Sequence, residues 1–169
     1  MENKILILLI ILIIGVIGIS DCTNDLVTTK NVFNESGVYF EYPIDWKSYN
    51  PLDGNGEIGA VGNVNKSSNL TRGEYIYVFK HDKNELSAKK AIGNFKMIDG
   101  VNYTESSLIV DGVNATLLKF TWKNETDTIG TLVDFEKNGY TYEIEYFATP
   151  PEKYNEEALK SIINSFKVQ

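Results

Sequence analysis

Residues equipped for chemistry are few and scattered along the chain. His81 is the only histidine. Histidine is the commonest general base and metal ligand near neutral pH. It sits in Lys80-His81-Asp82-Lys83, where flanking lysines repel a cation and no partner ligands follow at zinc spacing. It therefore reads as a loop residue at a strand end. Asp134, Glu143 and Glu145 are carboxylates that a hairpin can bring together on one face, enough for a weak calcium site in principle. No calcium-loop spacing accompanies them, and a solvated sheet face or the flank of a covering helix is the ordinary expectation. Serines, tyrosines and acids are plentiful, yet none falls in a Gly-x-Ser-x-Gly elbow, a His-Glu-x-x-His helix or a Gly-Lys-Ser/Thr phosphate loop. Gly54, Gly56, Gly59 and Gly62 are spaced too loosely for nucleotide binding. The sequence thus predicts no catalytic residue, no cofactor and no metal. An extracytoplasmic hydrolase is the alternative, because a glycosidase needs only two carboxylates whose positions a sequence does not reveal.

The first 22 residues set the compartment. Met1-Glu2-Asn3-Lys4 leads into an apolar run from Ile5 to Ile19 that ends at Ser20-Asp21-Cys22, the order of an export signal. As a helix this run is roughly 22 Å long, short of the ~30 Å hydrocarbon core. Ile19-Ser20-Asp21-Cys22 is similar to a lipobox, with Asp21 where a small residue is usual. Lipidation of Cys22, a retained N-terminal anchor helix and ordinary cleavage nearby all stay open. Cys22 is the only cysteine, so neither an internal disulfide nor a cysteine zinc site can form. Asn-X-Ser/Thr sequons occur at Asn34, Asn65, Asn69, Asn102, Asn114 and Asn124. Six is an excess over the roughly two that chance placement would give, and sequons matter only on an exported chain. The formal charge of −7 at pH 7 argues against nucleic acid as a partner, since phosphates demand a basic face.

The intervening elements must position whatever site exists. Residues 23–36 read as a tether with a short strand near Val32. Val38, Phe40 and Tyr42 alternate with Tyr39 and Glu41 up to Pro43, as in a strand with one buried face. Residues 50–73 hold much of the Gly and Asn and read as a loop around a short strand at 57–64. This loop is the preferred surface for a partner. Tyr75 to Lys80 reads as a central strand. Asn84 is the expected cap of a helix whose stripe is Ala88, Ala91, Ile92 and Phe95. Four strands then follow at about 103–110, 113–123, 128–137 and 140–148, joined at Asp111-Gly112 and Asn138-Gly139 by strong hairpin signals. The second turn predicts Phe135 opposite Tyr142, Val133 opposite Ile144 and Thr131 opposite Tyr146 on the buried face. Asn155 should cap a last helix with Ala158, Leu159, Ile162, Ile163 and Phe166 inward. Strands segregated from two helices imply an α+β fold with an antiparallel sheet.

Two motifs carry a family resemblance. The opening Gly37-Val38-Tyr39-Phe40-Glu41-Tyr42-Pro43-Ile44-Asp45-Trp46 and the closing Ile162-Ile163-Asn164-Ser165-Phe166-Lys167-Val168 resemble the two ends of PsbP-like domains. The resemblance implies an α/β/α sandwich with helices on both faces of the sheet, and Trp46 as a structural tryptophan. The organisation expected is a signal peptide or membrane anchor at 1–22, the tether at 23–36 and a PsbP-like domain at 37–169. The function implied is a non-catalytic binding or assembly module outside the cytoplasm. It would meet the membrane through its N-terminal segment and engage a protein partner whose identity the sequence does not specify. A purely structural envelope role is a further alternative. The photosystem-bound members engage their complex through a basic N-terminal segment, and none lies between Thr23 and Ser36.

Overall fold

Turns with positive φ at both central residues organise the chain. They lie at Ser36-Gly37 (54°, 75°), Asp111-Gly112 (46°, 81°) and Asn138-Gly139 (53°, 86°), the backbone that a two-residue hairpin with right-handed strand twist requires. The computed structural model describes residues 30–51, 56–67, 70–122 and 127–169. The Ser36-Gly37 turn joins β1 (Lys30–Glu35) to β2 (Val38–Pro43). Residues 30–35, expected in the tether with a strand near Val32, are therefore part of a sheet. Phe33 of β1 is buried and stacks on Phe40 of β2 at 4.8 Å.

A seven-stranded antiparallel sheet forms the body of the fold. It contains β3 (Lys47–Tyr49), β4 (Glu57–Ser67), β5 (Leu70–Asp82), β6 (Val101–Val110), β7 (Val113–Trp122), β8 (Thr128–Lys137) and β9 (Tyr140–Thr149), in the order β3-β4-β5-β9-β8-β7-β6. The β8–β9 register has Phe135 opposite Tyr142, Val133 opposite Ile144 and Thr131 opposite Tyr146, as the Asn-Gly turn predicts.

Each face of the sheet carries one helix. On the first, Val133, Phe135, Tyr142, Ile144 and Tyr146 pack under α2 (Glu156–Ser165) and a second sheet, β1-β2-β10, where β10 is Lys167–Val168. On the second, α1 (Ala88–Lys96) lays Ile92 and Phe95 against Leu118, Phe120, Leu132 and Phe147. The α+β class and the antiparallel sheet match expectation. The first face differs from a plain helical layer, because the small sheet shares its coverage with α2.

Local chemistry explains both helix starts. Asn155 Oδ1 accepts from the Ala158 N–H at 3.0 Å, the cap that the sequence predicts. For α1 the predicted cap is wrong. Asn84 is held by Asp82 Oδ1, which accepts both its backbone and its side-chain N–H at 2.8 Å. This Asx turn closes β5, and the helix waits for Ser87, whose hydroxyl accepts from Lys90 N at 3.3 Å.

The closing Ser165-Phe166-Lys167 is a structural clasp. Ser165 Oγ accepts the Glu41 N–H of β2 at 2.9 Å. Phe166 is fully buried and contacts Phe40, Phe135 and Tyr142. Lys167 reaches Asp111 in the β6–β7 turn at 3.2 Å. Asp111 also takes the Lys137 ammonium at 2.6 Å and the Val168 N–H at 2.9 Å. Burial pushes its carboxyl up, but those three donors outweigh burial and bring it down to about 2.

Candidate functional site

The β4–β5 hairpin is longer than the sheet it belongs to. β9 accompanies β5 only as far as Gly73 opposite Thr149, whereas β4 stays paired with β5 out to Ser67 opposite Leu70. The far end of the hairpin therefore projects past the sheet. Residues 50–73, expected as a loop around a short strand at 57–64, hold that strand as part of a longer ribbon, although 52–55 and 68–69 lie outside the described residues. Gly73 marks the point of departure. Its φ is +141°, and a Cβ there would stand 2.2 Å from the Asn63 carbonyl oxygen, so a side chain cannot be accommodated.

Opposite the ribbon, β9 ends at a cis Thr149–Pro150 peptide and the chain turns through a single 3-10 turn, Pro151–Lys153. Between the two lies a cleft of about 470 Å³ lined by Asn63, Arg72, Gly73, Glu74, Pro150 and Lys153. Arg72 and Lys153 are exposed and make no ion pair with any described residue. Two cations with no ion pair among the described residues thus share one opening with the Glu74 carboxylate on an acidic protein. No motif announces this site, since its residues come from three separate elements. The sequence signals for it were a glycine inside a strand and the Pro150-Pro151 pair that stops β9.

Glu74 connects the cleft to the core. Its Oε1 accepts the Trp46 indole N–H at 3.2 Å and its Oε2 accepts the Tyr146 hydroxyl at 2.7 Å. Tyr146 is fully buried and its oxygen accepts the Asn155 N–H at 2.7 Å. Burial, with the Glu74 carboxylate beside it, pushes the Tyr146 phenol far above its usual range, so it remains a donor. Trp46 is 3% exposed and packs on Tyr146, the structural placement that the resemblance implies. Asn31 holds the preceding turn by donating to the carbonyls of Pro43, Ile44 and Trp46. The carboxylate on the cleft wall is consequently oriented by two buried donors.

Of the two ordinary placements expected for the hairpin carboxylates, the structure shows the flank of a covering helix and not a solvated face. Asp134, Glu143 and Glu145 do share one face, but it is covered, and Asp134 is only 1% exposed. The cause is position, because β8 and β9 lie mid-sheet and α1 packs on that side. Asp134 stands opposite Glu143, with Glu145 one row along beside Tyr77. Neither Asp134 oxygen has a hydrogen-bond partner among the described residues, nor does the buried Thr141 hydroxyl. Burial, then repulsion from Glu143 and Glu145, pushes Asp134 up to about 9. Burial, then Glu143 and Glu57, pushes Glu145 up to about 7. For Glu143 burial raises the carboxyl more than the nearby histidine lowers it. His81 lies within β5 rather than in a loop, and its Nε2 is 3.0 Å from Glu143 Oε1. No group of three or more His, Cys, Asp or Glu among the described residues is arranged to hold a metal ion.

Of the sequon asparagines, Asn34 on β1, Asn102 on β6 and Asn114 on β7 are exposed. Asn65 lies on β4. Asn69, Asn124 and Cys22 lie outside the described residues, as does the N-terminal apolar segment. No helix among the described residues is long and apolar enough to cross a membrane.

Solved structures share this architecture. LpqN of Mycobacterium tuberculosis, involved in cell envelope biogenesis, matches with a TM-score of 0.60 and 15% identity over 82% of this chain and 90% of that one. The cyanobacterial PsbP (CyanoP) of Synechocystis matches with a TM-score of 0.54 and 11% identity over 89% of this chain and 99% of that one. A Bacteroides thetaiotaomicron protein matches with a TM-score of 0.54 and 13% identity over 83% of this chain, which spans only 48% of the Bacteroides chain. No protein-family model and no curated protein sequence matches. At such identities the likeness establishes a PsbP-like fold.

Proposed function

We propose that this chain is a non-catalytic accessory module of PsbP-like fold that works on the extracytoplasmic side of the membrane. It is held there by its N-terminal segment and binds a protein partner. The observation that carries this reading is the cleft beneath the projecting β4–β5 ribbon. Arg72 and Lys153 supply two cations there that make no ion pair among the described residues, beside a carboxylate held by Trp46 and Tyr146. A cleft with two exposed cations on its rim suits recognition of an acidic segment, since complementary charge selects partners and speeds encounter. The acid ladder suits catalysis poorly, because Asp134 is closed off from any substrate. The export-signal pattern, the exposed sequon asparagines and a fold shared with an envelope-biogenesis protein support the compartment.

The test is cross-linking of the full-length chain in membranes of its own host. The wild-type chain should be recovered with a defined membrane or envelope protein. A chain carrying Arg72→Glu and Lys153→Glu should lose that partner while keeping its melting temperature and membrane association. Equal capture by the double variant would remove the cleft from the reading. Turnover of an envelope glycan or peptide, abolished by a single carboxylate substitution, would replace it with an enzyme.

A further inference from the structure

The seven-stranded sheet ends differently on its two sides. On one side β3 contributes three residues, a short edge of the kind proteins use to prevent strand addition. On the other, β6 runs for ten residues, Val101–Val110, and nothing among the described residues pairs with its outer side. The strand itself has no proline, no lysine and one charge, Glu105, which Lys96 of α1 neutralises while its ammonium also lies over the Tyr103 ring at 5.5 Å. Every residue from Asn102 to Ser107 is exposed. Such an edge presents a row of free backbone donors and acceptors to any strand that fits.

The side chains say which strand fits. Tyr103 is 42% exposed and Ile109 is 59% exposed, and both lie on the α1 side of the sheet, opposite Phe120 and Asn114. They stand three residues either side of Ser106. An antiparallel copy of β6 centred on Ser106 would therefore set each Tyr103 opposite the other copy's Ile109, an aromatic and β-branched pair made twice. The same register sets Glu105 against Ser107 and keeps the two Glu105 carboxylates apart. On the opposite face Thr104 meets Leu108 and Asn102 meets Val110, with Ser106 against itself on the axis. A shift of one residue along the strand would break the Tyr103–Ile109 match and bring Glu105 across from Ser106.

We propose that two copies of this chain pair antiparallel along their β6 edges in the register centred on Ser106, joining two seven-stranded sheets into one continuous sheet. The cleft lies at the β4–β5 ribbon near the far side of the sheet, so pairing leaves it open in both copies. Asn102 projects from the opposite face, away from the Tyr103–Ile109 pairs.

Cysteine cross-linking of the full-length chain in a Cys22→Ser background, carried out in whole cells so that it reads the chain whether or not it stays membrane-bound, tests this directly. Ser106→Cys should form an intermolecular disulfide under mild oxidation, because directly opposed strand residues lie about 4.5–5.5 Å apart, within disulfide reach. Tyr103→Cys and Ile109→Cys chains should cross-link when co-expressed and not when expressed singly. Thr104→Cys should not cross-link to itself, its copies being roughly 14 Å apart at strand spacing. Ser106→Lys, which puts like charges on the axis, should shift the detergent-solubilised chain from dimer to monomer in sedimentation with unchanged circular dichroism. A folded Ser106→Cys chain that stays monomeric would overturn the proposal, and so would a cross-link to a different protein at that position.

Discussion

Replacing Asp134 by Asn should stabilise this protein at neutral and alkaline pH. The carboxyl is buried opposite Glu143 with no partner for either oxygen among the described residues. It is pushed from an ordinary 3.8 up to about 9. The folded state therefore keeps a proton that the unfolded chain releases. Below 3.8 both states hold it and its ionisation costs nothing. As pH rises the unfolded chain ionises first, so stability falls by about 1.4 kcal/mol per pH unit until the folded value is reached. By pH 7 linkage puts the cost at up to about 4 kcal/mol, a large share of a marginal total. Asn has the same shape and cannot ionise, so the variant should match the wild type near pH 4 and exceed it by a few kcal/mol at pH 7–8. Glu145, pushed up to about 7, and Glu143, also raised, face the same ladder and keep some slope in the variant. Glu57, Tyr77, His81 and Glu136 are other titratable groups along these rows of β4, β5 and β8. The assay is urea denaturation at half-unit steps from pH 4 to 9. Parallel curves for the two chains, or a wild type more stable at pH 8 than at pH 5, would refute the reasoning.

Other perturbations have definite expected outcomes. Tyr146→Phe removes a hydroxyl that serves both Glu74 and Asn155 and should cost about 1–3 kcal/mol in chemical denaturation. Asp111→Ala should cost about 2 kcal/mol at pH 7. Because its folded value is lowered to about 2, that stability exists above the unfolded value and is lost as pH falls through about 2, so acid titration of both chains should show the gap closing. Phe166→Ala should cost about 3–5 kcal/mol by emptying the contact with Phe40, Phe135 and Tyr142. Asn155→Ala should cost about 1 kcal/mol through loss of the α2 cap.

The local half of this fold is legible in the chain. Asp111-Gly112 and Asn138-Gly139 dictate positive φ, and with it two hairpins and a strand register that the structure reproduces. Val38, Phe40 and Tyr42 announce a buried face by alternation alone. The stripe of α2 and its Asn155 cap are equally plain, because capping and amphipathic periodicity act within a few residues. Where two local options compete, pattern reading fails. Asn84 is a good cap by type, but Asp82 engages it first and the helix starts at Ser87.

Burial on the second face of a sheet depends on neighbours distant in sequence. Alternation places Asp134, Glu143 and Glu145 on the side away from the main core, and by itself leaves solvent and a covering helix equally open there. Only the strand order, which seats β8 and β9 mid-sheet beneath α1, turns that side into an interior and three ordinary carboxylates into groups that hold protons. The same holds for the cleft. Asn63, Arg72, Glu74, Pro150 and Lys153 acquire a relationship only when β9 stops at Thr149 and the β4–β5 ribbon runs on past it. Residue type and spacing determine elements because backbone dihedrals and side-chain periodicity are local. Exposure, charge state and the convergence of a site are decided by contacts between elements, which exist only once the chain has folded.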